Sequence, residues 1–200
     1  MIVLDLGSGN TCRNDLGKVK DMIDAVYDGK RDAVIKWQLF QTAPPNEPLK
    51  RDVFRYAYEY AAELGIKTTA SFFDYDSLEF LMGFDVPFFK IANRPELYPM
   101  AAGIHDVPIW VSYASDVEMG KRALVKPLCC VSRYPAQIVE YEKHFAPRWL
   151  AEGISDHTVG LDLYHKYQPE RFEKHFVLKH DKSNPDAGLF AITPKELIEL

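Results

Sequence analysis

At 200 residues, 47% of them apolar, the chain suits one domain spanning residues 1–200 with a sizeable core. Its charges are plentiful but mixed, with a formal net charge of −5, which argues against nucleic acid as the main partner because a phosphate backbone calls for a basic face. No run is apolar enough to span a bilayer and the N-terminus lacks the basic and apolar regions of a signal peptide, so a cytoplasmic protein with no membrane partner is expected.

The first segment, IVLDL (2–6), reads as a strand running into the turn LGSGNTCRN. That turn carries Gly7 and Gly9 but lacks the third glycine and the helix opening of a dinucleotide fingerprint. A helix is predicted over DLGKVKDMIDAVYDG (15–29), with Gly29 as its stop, and then a strand over AVIKWQ (33–38). KRDVFRYAYEYAAELGI (50–66) reads as a helix stopped by Gly65. Four strand segments follow: TTASFF (68–73), PFFKIA (87–92), PIWVSY (108–113) and PLCCVS (127–132). QIVEYEKHFAPRW (137–149) reads as one helix, and AEGIS (151–155) and FEKHFVL (172–178) complete eight strands. No low-complexity stretch or linker divides the chain. The three cysteines, Cys12, Cys129 and Cys130, are odd in number and sit in apolar contexts, as buried free thiols of a reducing compartment would.

Most of these strands are apolar on both faces, as parallel strands covered by helices are. Eight of them alternating with helices predict an α/β fold, a compact (β/α)8 TIM barrel in which several helices must be short; a doubly wound open sheet is the alternative. Barrel chemistry sits at the C-terminal strand ends. The polar residues there are Asp5, Lys36, Gln38, Ser71, Asp74, Lys90, Asn93, Ser112, Ser132, Tyr134, Ser155, Asp156, His157, Lys174 and His175. A lysine in a strand buried on both faces is costly unless an anion meets it. Lys36 and Lys90, with serines at other strand exits, therefore read as a phosphate or carboxylate pocket. His157 and His175 end consecutive strands. They are either hydrogen-bonded core histidines or a pair converging on one metal ion, and two protein ligands would leave positions open for catalysis. His105, His144, His165 and His180 read as surface residues.

KWQ (36–38), SFFD (71–74), FKIAN (89–93), CVSRYP (130–135), GISDHT (153–158), EKHF (173–176) and NPD (184–186) follow one another in register. Together they resemble the barrel domain of the sialic acid synthase family: the bacterial N-acetylneuraminate synthases and their legionaminate and pseudaminate relatives. The resemblance implies condensation of phosphoenolpyruvate with an N-acetylated amino sugar such as N-acetylmannosamine, releasing phosphate, with a divalent cation, Mn2+ or Mg2+. Carried over by position, it implies that Lys36 and Lys90 bind phosphoenolpyruvate with the hydroxyls of Ser71, Ser112, Ser132 and Ser155. Gln38, Phe73, Tyr134 and Asp186 fall where the family contacts the sugar, and His157 and His175 match the metal ligands.

Several positions depart from the pattern. Asp5 stands in place of a glutamate and is one methylene shorter; with Lys36 and Lys90 it would form the catalytic set, orienting the water that adds at C2. Asn93, also expected at the substrate, replaces a usual serine, and SYAS (112–115) replaces Ser-Thr-Gly-Met. The chain ends at KELIEL (195–200), so the family's antifreeze-like domain is expected to act in trans if at all, and a homodimer is compatible with the reading. Two rival readings remain. One is a binding pseudoenzyme, favoured by Asp5, Asn93 and the absent lid. The other is a phosphoenolpyruvate-condensing barrel acting on a phosphorylated sugar, for which Arg94 and Arg133 are the candidate arginines.

Overall fold

The computed structural model describes residues 1–40, 46–114 and 124–200. Its eight strands are β1 (Ile2–Asp5), β2 (Val34–Gln38), β3 (Thr68–Ser71), β4 (Phe89–Ile91), β5 (Ile109–Tyr113), β6 (Val125–Cys130), β7 (Gly153–Asp156) and β8 (Arg171–His175). All pair in parallel and in chain order, and β8 closes against β1 through Ile2↔Phe172 to Asp5↔His175. Closure rules out the open sheet and bears out the barrel.

A strand's side chains alternate between its two faces, and in a closed barrel those faces are the lumen and the helical layer. Val3, Val34, Phe88, Trp110 and Leu128 form a small apolar cluster of their own, distinct from the main core, with the Phe88 and Trp110 rings stacked 4.2 Å apart. Two residues further along the same strands come Asp5, Lys36, Lys90, Ser112 and Cys130. The lumen is thus apolar on one level and polar on the next. The intervening residues, among them Leu4, Ile35, Ala70, Ile91, Val111 and Ile154, belong to the main core with the helices.

Those helices are α1 (Gly9–Cys12), α2 (Leu16–Lys30), α3 (Arg51–Glu63), α4 (Tyr75–Leu81), α5 (Ile138–His144), α6 (Pro147–Glu152), α7 (Asp162–Tyr167) and α8 (Pro194–Leu197). Among the described residues only α2 and α3 exceed two α-helical turns, and a 3-10 helix (Pro95–Gly103) serves after β4, which is how the barrel stays compact. On α2 and α3 the buried positions, Val19, Met22, Ile23 and Val26, then Val53, Phe54, Ala57 and Ala61, recur at helical spacing and face the strands.

Three local expectations change. The segment 137–149 is two helices: Phe145 and Ala146 are extended, and Pro147 disfavours helix at the residue before it while starting the next one. Gly29 does not stop α2. A Cβ there would lie 2.8 Å from Leu197 Cδ2, so the missing side chain admits α8. Gly65 does end α3, with φ +75 in the left-handed region. The LGSGN turn also opens a helix after all, since Ser8 caps α1.

All three cysteines are buried free thiols. No helix among the described residues is long and apolar enough to cross a membrane. Ser115 of the SYAS segment lies outside the described residues.

Gly153 marks a close approach between β7 and β6. A Cβ there would sit 2.8 Å from both the Pro127 carbonyl oxygen and Leu128 Cδ2. Because one obstacle is backbone, Gly153→Ala must separate β6 from β7, costing about 1–3 kcal/mol as overpacking does. The expected fall in Tm is about 2–4 °C per kcal/mol for a chain of this size, readable by thermal circular dichroism.

Candidate active site

One cavity of about 790 Å³ opens at the C-terminal ends of the strands, and the fourteen residues given catalytic, substrate or metal roles from the sequence all line it; Asp74, Asp156 and Lys174, also at strand ends, do not. Its floor holds four buried charges. Lys36 Nζ donates to Asp5 Oδ2 at 2.7 Å and to Ser71 Oγ at 3.1 Å, and lies 3.8 Å from Glu173 Oε2. Lys90 Nζ donates to Ser112 Oγ at 2.8 Å and to the Ile91 carbonyl at 3.0 Å, with Glu173 Oε1 at 3.5 Å. The anion that meets each buried lysine is therefore supplied by the protein itself.

Glu173 is the buried charge of the cavity floor that the sequence reading left out of the candidate site. It lies inside the EKHF segment, one step before a lysine and two before a histidine. Only closure of β8 against β1 places its carboxylate between Lys36 and Lys90. Ser155 Oγ donates to Oε1 at 2.9 Å, and Oε2 is buried with no hydrogen-bond partner among the described residues. An alternation argument could have found it, since Glu173 shares a strand face with His175.

The two lysines are tuned apart. Burial works against the charge on both. On Lys36 it is outweighed by Asp5 and Glu173, which hold that ammonium above its ordinary pKa. On Lys90 burial prevails despite Glu173, and Lys36 adds repulsion, so its pKa falls. Burial likewise opposes ionisation of Asp5, but Lys36, His175 and the Gly7 amide overcome it and keep the carboxyl well below the usual carboxylate range. Asp5 Oδ1 accepts from the Gly7 amide at 2.9 Å and Oδ2 from Gln38 Nε2 at 3.0 Å. So held, Asp5 is a fixed anion that can orient a neighbour and a poor acceptor of protons.

The rings of His157 and His175 have centroids 5.7 Å apart, and the Tyr134 ring lies tilted against His157 with its centroid 4.2 Å away. His157 Nδ1 meets the Val131 carbonyl at 2.8 Å, which fixes the tautomer with Nε2 unprotonated. Burial, reinforced by His175, pulls the His157 pKa down to about 3, so the ring is neutral near pH 7. His175 Nε2 lies 3.6 Å from Asp5 Oδ2, and its Nδ1 is buried with no partner among the described residues. No group of three or more His, Cys, Asp or Glu side chains that could hold a metal gathers among the described residues. The donor set fits an ion held by two imidazole nitrogens, its other positions left to water or substrate.

The wall of the cavity mixes apolar residues such as Leu189 and Phe190 with further polar groups. Asn93 Nδ2 donates to Ser132 Oγ at 2.9 Å, and Asp186 Oδ2 accepts from Ser8 Oγ at 2.8 Å. Phe73 carries Arg94 over its ring at 5.0 Å. Of the two candidate arginines, Arg94 lines the cavity and Arg133 does not; Arg133 pairs with Glu140 at 3.0 Å. Among the other histidines, His105, His144 and His165 are exposed, and His180 is half-buried against the Gly188 carbonyl.

No protein-family profile matches the chain. It is 31% identical over 173 residues to human N-acetylneuraminate-9-phosphate synthase, covering 74% of this chain and 47% of that protein, and the mouse protein of the same name matches equally. The chain thus spans about half the length of the curated relatives it matches. Among solved structures, it superposes on the N-acetylneuraminic acid (sialic acid) synthetase of Leptospira borgpetersenii with a TM-score of 0.76 at 21% identity, over 99% of this chain and 80% of that one. A putative spore coat polysaccharide biosynthesis protein E from Chromobacterium violaceum gives 0.70 at 14% identity, over 99% and 71%. A truncated 3-deoxy-D-arabino-heptulosonate 7-phosphate synthase from Thermotoga maritima gives 0.66 at 9% identity, over 100% and 84%. These structural likenesses establish the barrel.

The buried charges make two outcomes measurable. Stability contributed by ionised Asp5 is fully present above the ordinary carboxylate pKa and is lost as pH falls through the lower folded value. The margin of the parent over Asp5→Asn in urea denaturation should therefore stay level from neutral pH to about 5 and narrow below about pH 4. Glu173→Gln removes the anion shared by the two lysines. Inorganic phosphate should then bind about 3- to 10-fold more tightly by calorimetry, as expected when a charge a few ångströms from a partly buried anion site is removed.

Proposed function

We propose that the chain is, through its barrel, a member of the sialic acid synthase family, and that its cavity condenses phosphoenolpyruvate with an N-acetylated amino sugar such as N-acetylmannosamine, releasing phosphate. The observation that carries this reading is the floor of the cavity, where two buried lysines, each bonded to a serine hydroxyl, face a pair of imidazoles across one pocket.

In this reading Lys36 and Lys90 bind the carboxylate and phosphate of phosphoenolpyruvate, with Ser71, Ser112, Ser132 and Ser155 donating to their oxygens. Fixing both ends of a small anion removes most of its rotational freedom before reaction, a large share of the available acceleration. Gln38, Phe73, Asn93, Tyr134 and Asp186 line the remaining volume and bind the sugar. A carbon–carbon bond forms between C3 of phosphoenolpyruvate and the sugar aldehyde, water adds at C2, and phosphate departs. Asp5 orients that water as a permanent anion. His157 and His175 would hold a divalent cation, Mn2+ or Mg2+, which when bound supplies Lewis-acid polarisation of a carbonyl oxygen.

A second reading, a phosphoenolpyruvate-condensing barrel that takes a phosphorylated sugar, draws on Arg94 in the cavity wall and on relatives named as 9-phosphate synthases. Phosphate release from phosphoenolpyruvate with manganese, measured against a panel of free and 6-phosphorylated N-acetylated amino sugars, separates the two. The same assay with an antifreeze-like domain added in trans tests whether a lid is needed. No sugar-dependent release under any of these conditions leaves a binding protein and defeats both readings.

The two halves of the site should also separate by mutation. Lys90→Met is expected to remove most phosphoenolpyruvate binding while leaving manganese binding intact, both by calorimetry. His157→Ala is expected to do the reverse. A variant that loses both ligands together would show that the two subsites are not independent.

A further inference from the structure

Lys174 and Asp156 are fully buried, and none of the chemistry above uses them. They are direct partners across the β7–β8 ladder. Alternation turns them away from the cavity that Ser155, His157, Glu173 and His175 line. Lys174 Nζ donates to Asp156 Oδ2 at 2.8 Å and to the Thr158 carbonyl at 2.7 Å. The Thr158 amide donates to Asp156 Oδ1 at 2.7 Å. Three bonds thus join the residue before His157 to the residue after it, one directly and two through an ammonium carried on the strand that bears His175. From α5, the Tyr141 hydroxyl donates to the Ser155 carbonyl at 2.7 Å and accepts the His157 amide at 3.1 Å.

A buried ion pair is weak as a source of stability, because apolar side chains of similar volume in its place are often neutral or better. What this pair supplies is geometry. We propose that Lys174 and Asp156 are positioning residues that lock the turn Asp156–Thr158, so that His157 keeps its Nδ1 on the Val131 carbonyl and its ring beside His175 in one fixed arrangement. The functional consequence, tight metal binding, rests on the reading of the two histidines as a metal pair; the geometric claim does not. Residues that act on metal ligands from behind typically change metal affinity about 10- to 100-fold when removed.

Lys174→Met alone leaves Asp156 as an unpaired buried charge and risks unfolding, so the informative protein is the double variant Lys174→Met/Asp156→Leu. Its Tm is expected to match or exceed the parent's. In the metal-free full chain, long-range 1H–15N NMR, with the ring assigned through His157→Gln, should show one Nδ1-protonated His157 tautomer in the parent and a mixture in the double variant. Manganese affinity, followed by electron paramagnetic resonance, should weaken by about 10- to 100-fold while inorganic phosphate affinity is unchanged. A double variant with the parental tautomer and the parental manganese affinity overturns the proposal. So does loss of manganese and phosphate binding together, which marks general loosening. If the parent itself binds no manganese, the metal reading falls, and the tautomer measurement alone decides whether the pair positions His157.

Discussion

Two ammonium groups at the floor of a closed barrel cannot remain charged without anions within reach, and much of this molecule follows from meeting that need. Asp5 contacts Lys36 directly, and Glu173 lies between Lys36 and Lys90. Beneath them Val3, Val34, Phe88, Trp110 and Leu128 fill the barrel and deny water an approach from below. The charges are left to one another and to the serine hydroxyls. Because the carboxylates are shared unequally, two lysines of the same type are tuned in opposite directions.

The count of charges also bears on binding. Two lysines and two carboxylates cancel, so an incoming anion meets a floor with no excess positive charge. On the proposed reading, phosphoenolpyruvate must weaken contacts that the lysines already make, and a cation on the histidine pair would restore the balance. Neutral imidazole at His157 suits that role, since a ligand nitrogen must be unprotonated.

The β7–β8 ladder shows how one pair of strands can serve two purposes. On its inner face Ser155 meets Glu173, next to His157 and His175. On its outer face Asp156 meets Lys174. The outer pair bonds to the turn from which the His157 side chain projects. This is possible only because the two faces of a strand are a single residue apart.

Alternation and element type are local properties, and the chain states them openly. Eight apolar segments with polar residues at their ends predict a parallel barrel and the rim on which its chemistry sits. Of the fifteen polar residues read from those ends, twelve reach one cavity for that reason, while Asp74, Asp156 and Lys174 do not line it. What the sequence could not state is which side chain meets which across the lumen, because that depends on register and closure between segments far apart in the chain. Glu173 stood in plain view, yet only the pairing of β8 with β1 puts it between two lysines, one from β2 and the other from β4. Gly29 looked like a helix stop until α8, some 170 residues later, came to rest against it. Lys174 and Asp156 read as two more polar residues at strand exits, and their lock on His157 exists only in the register Asp156↔Lys174. Local patterning determined the fold and the rim. The partners of the buried charges were decided by barrel closure, because a charge out of water depends on whatever the tertiary structure brings within bonding distance.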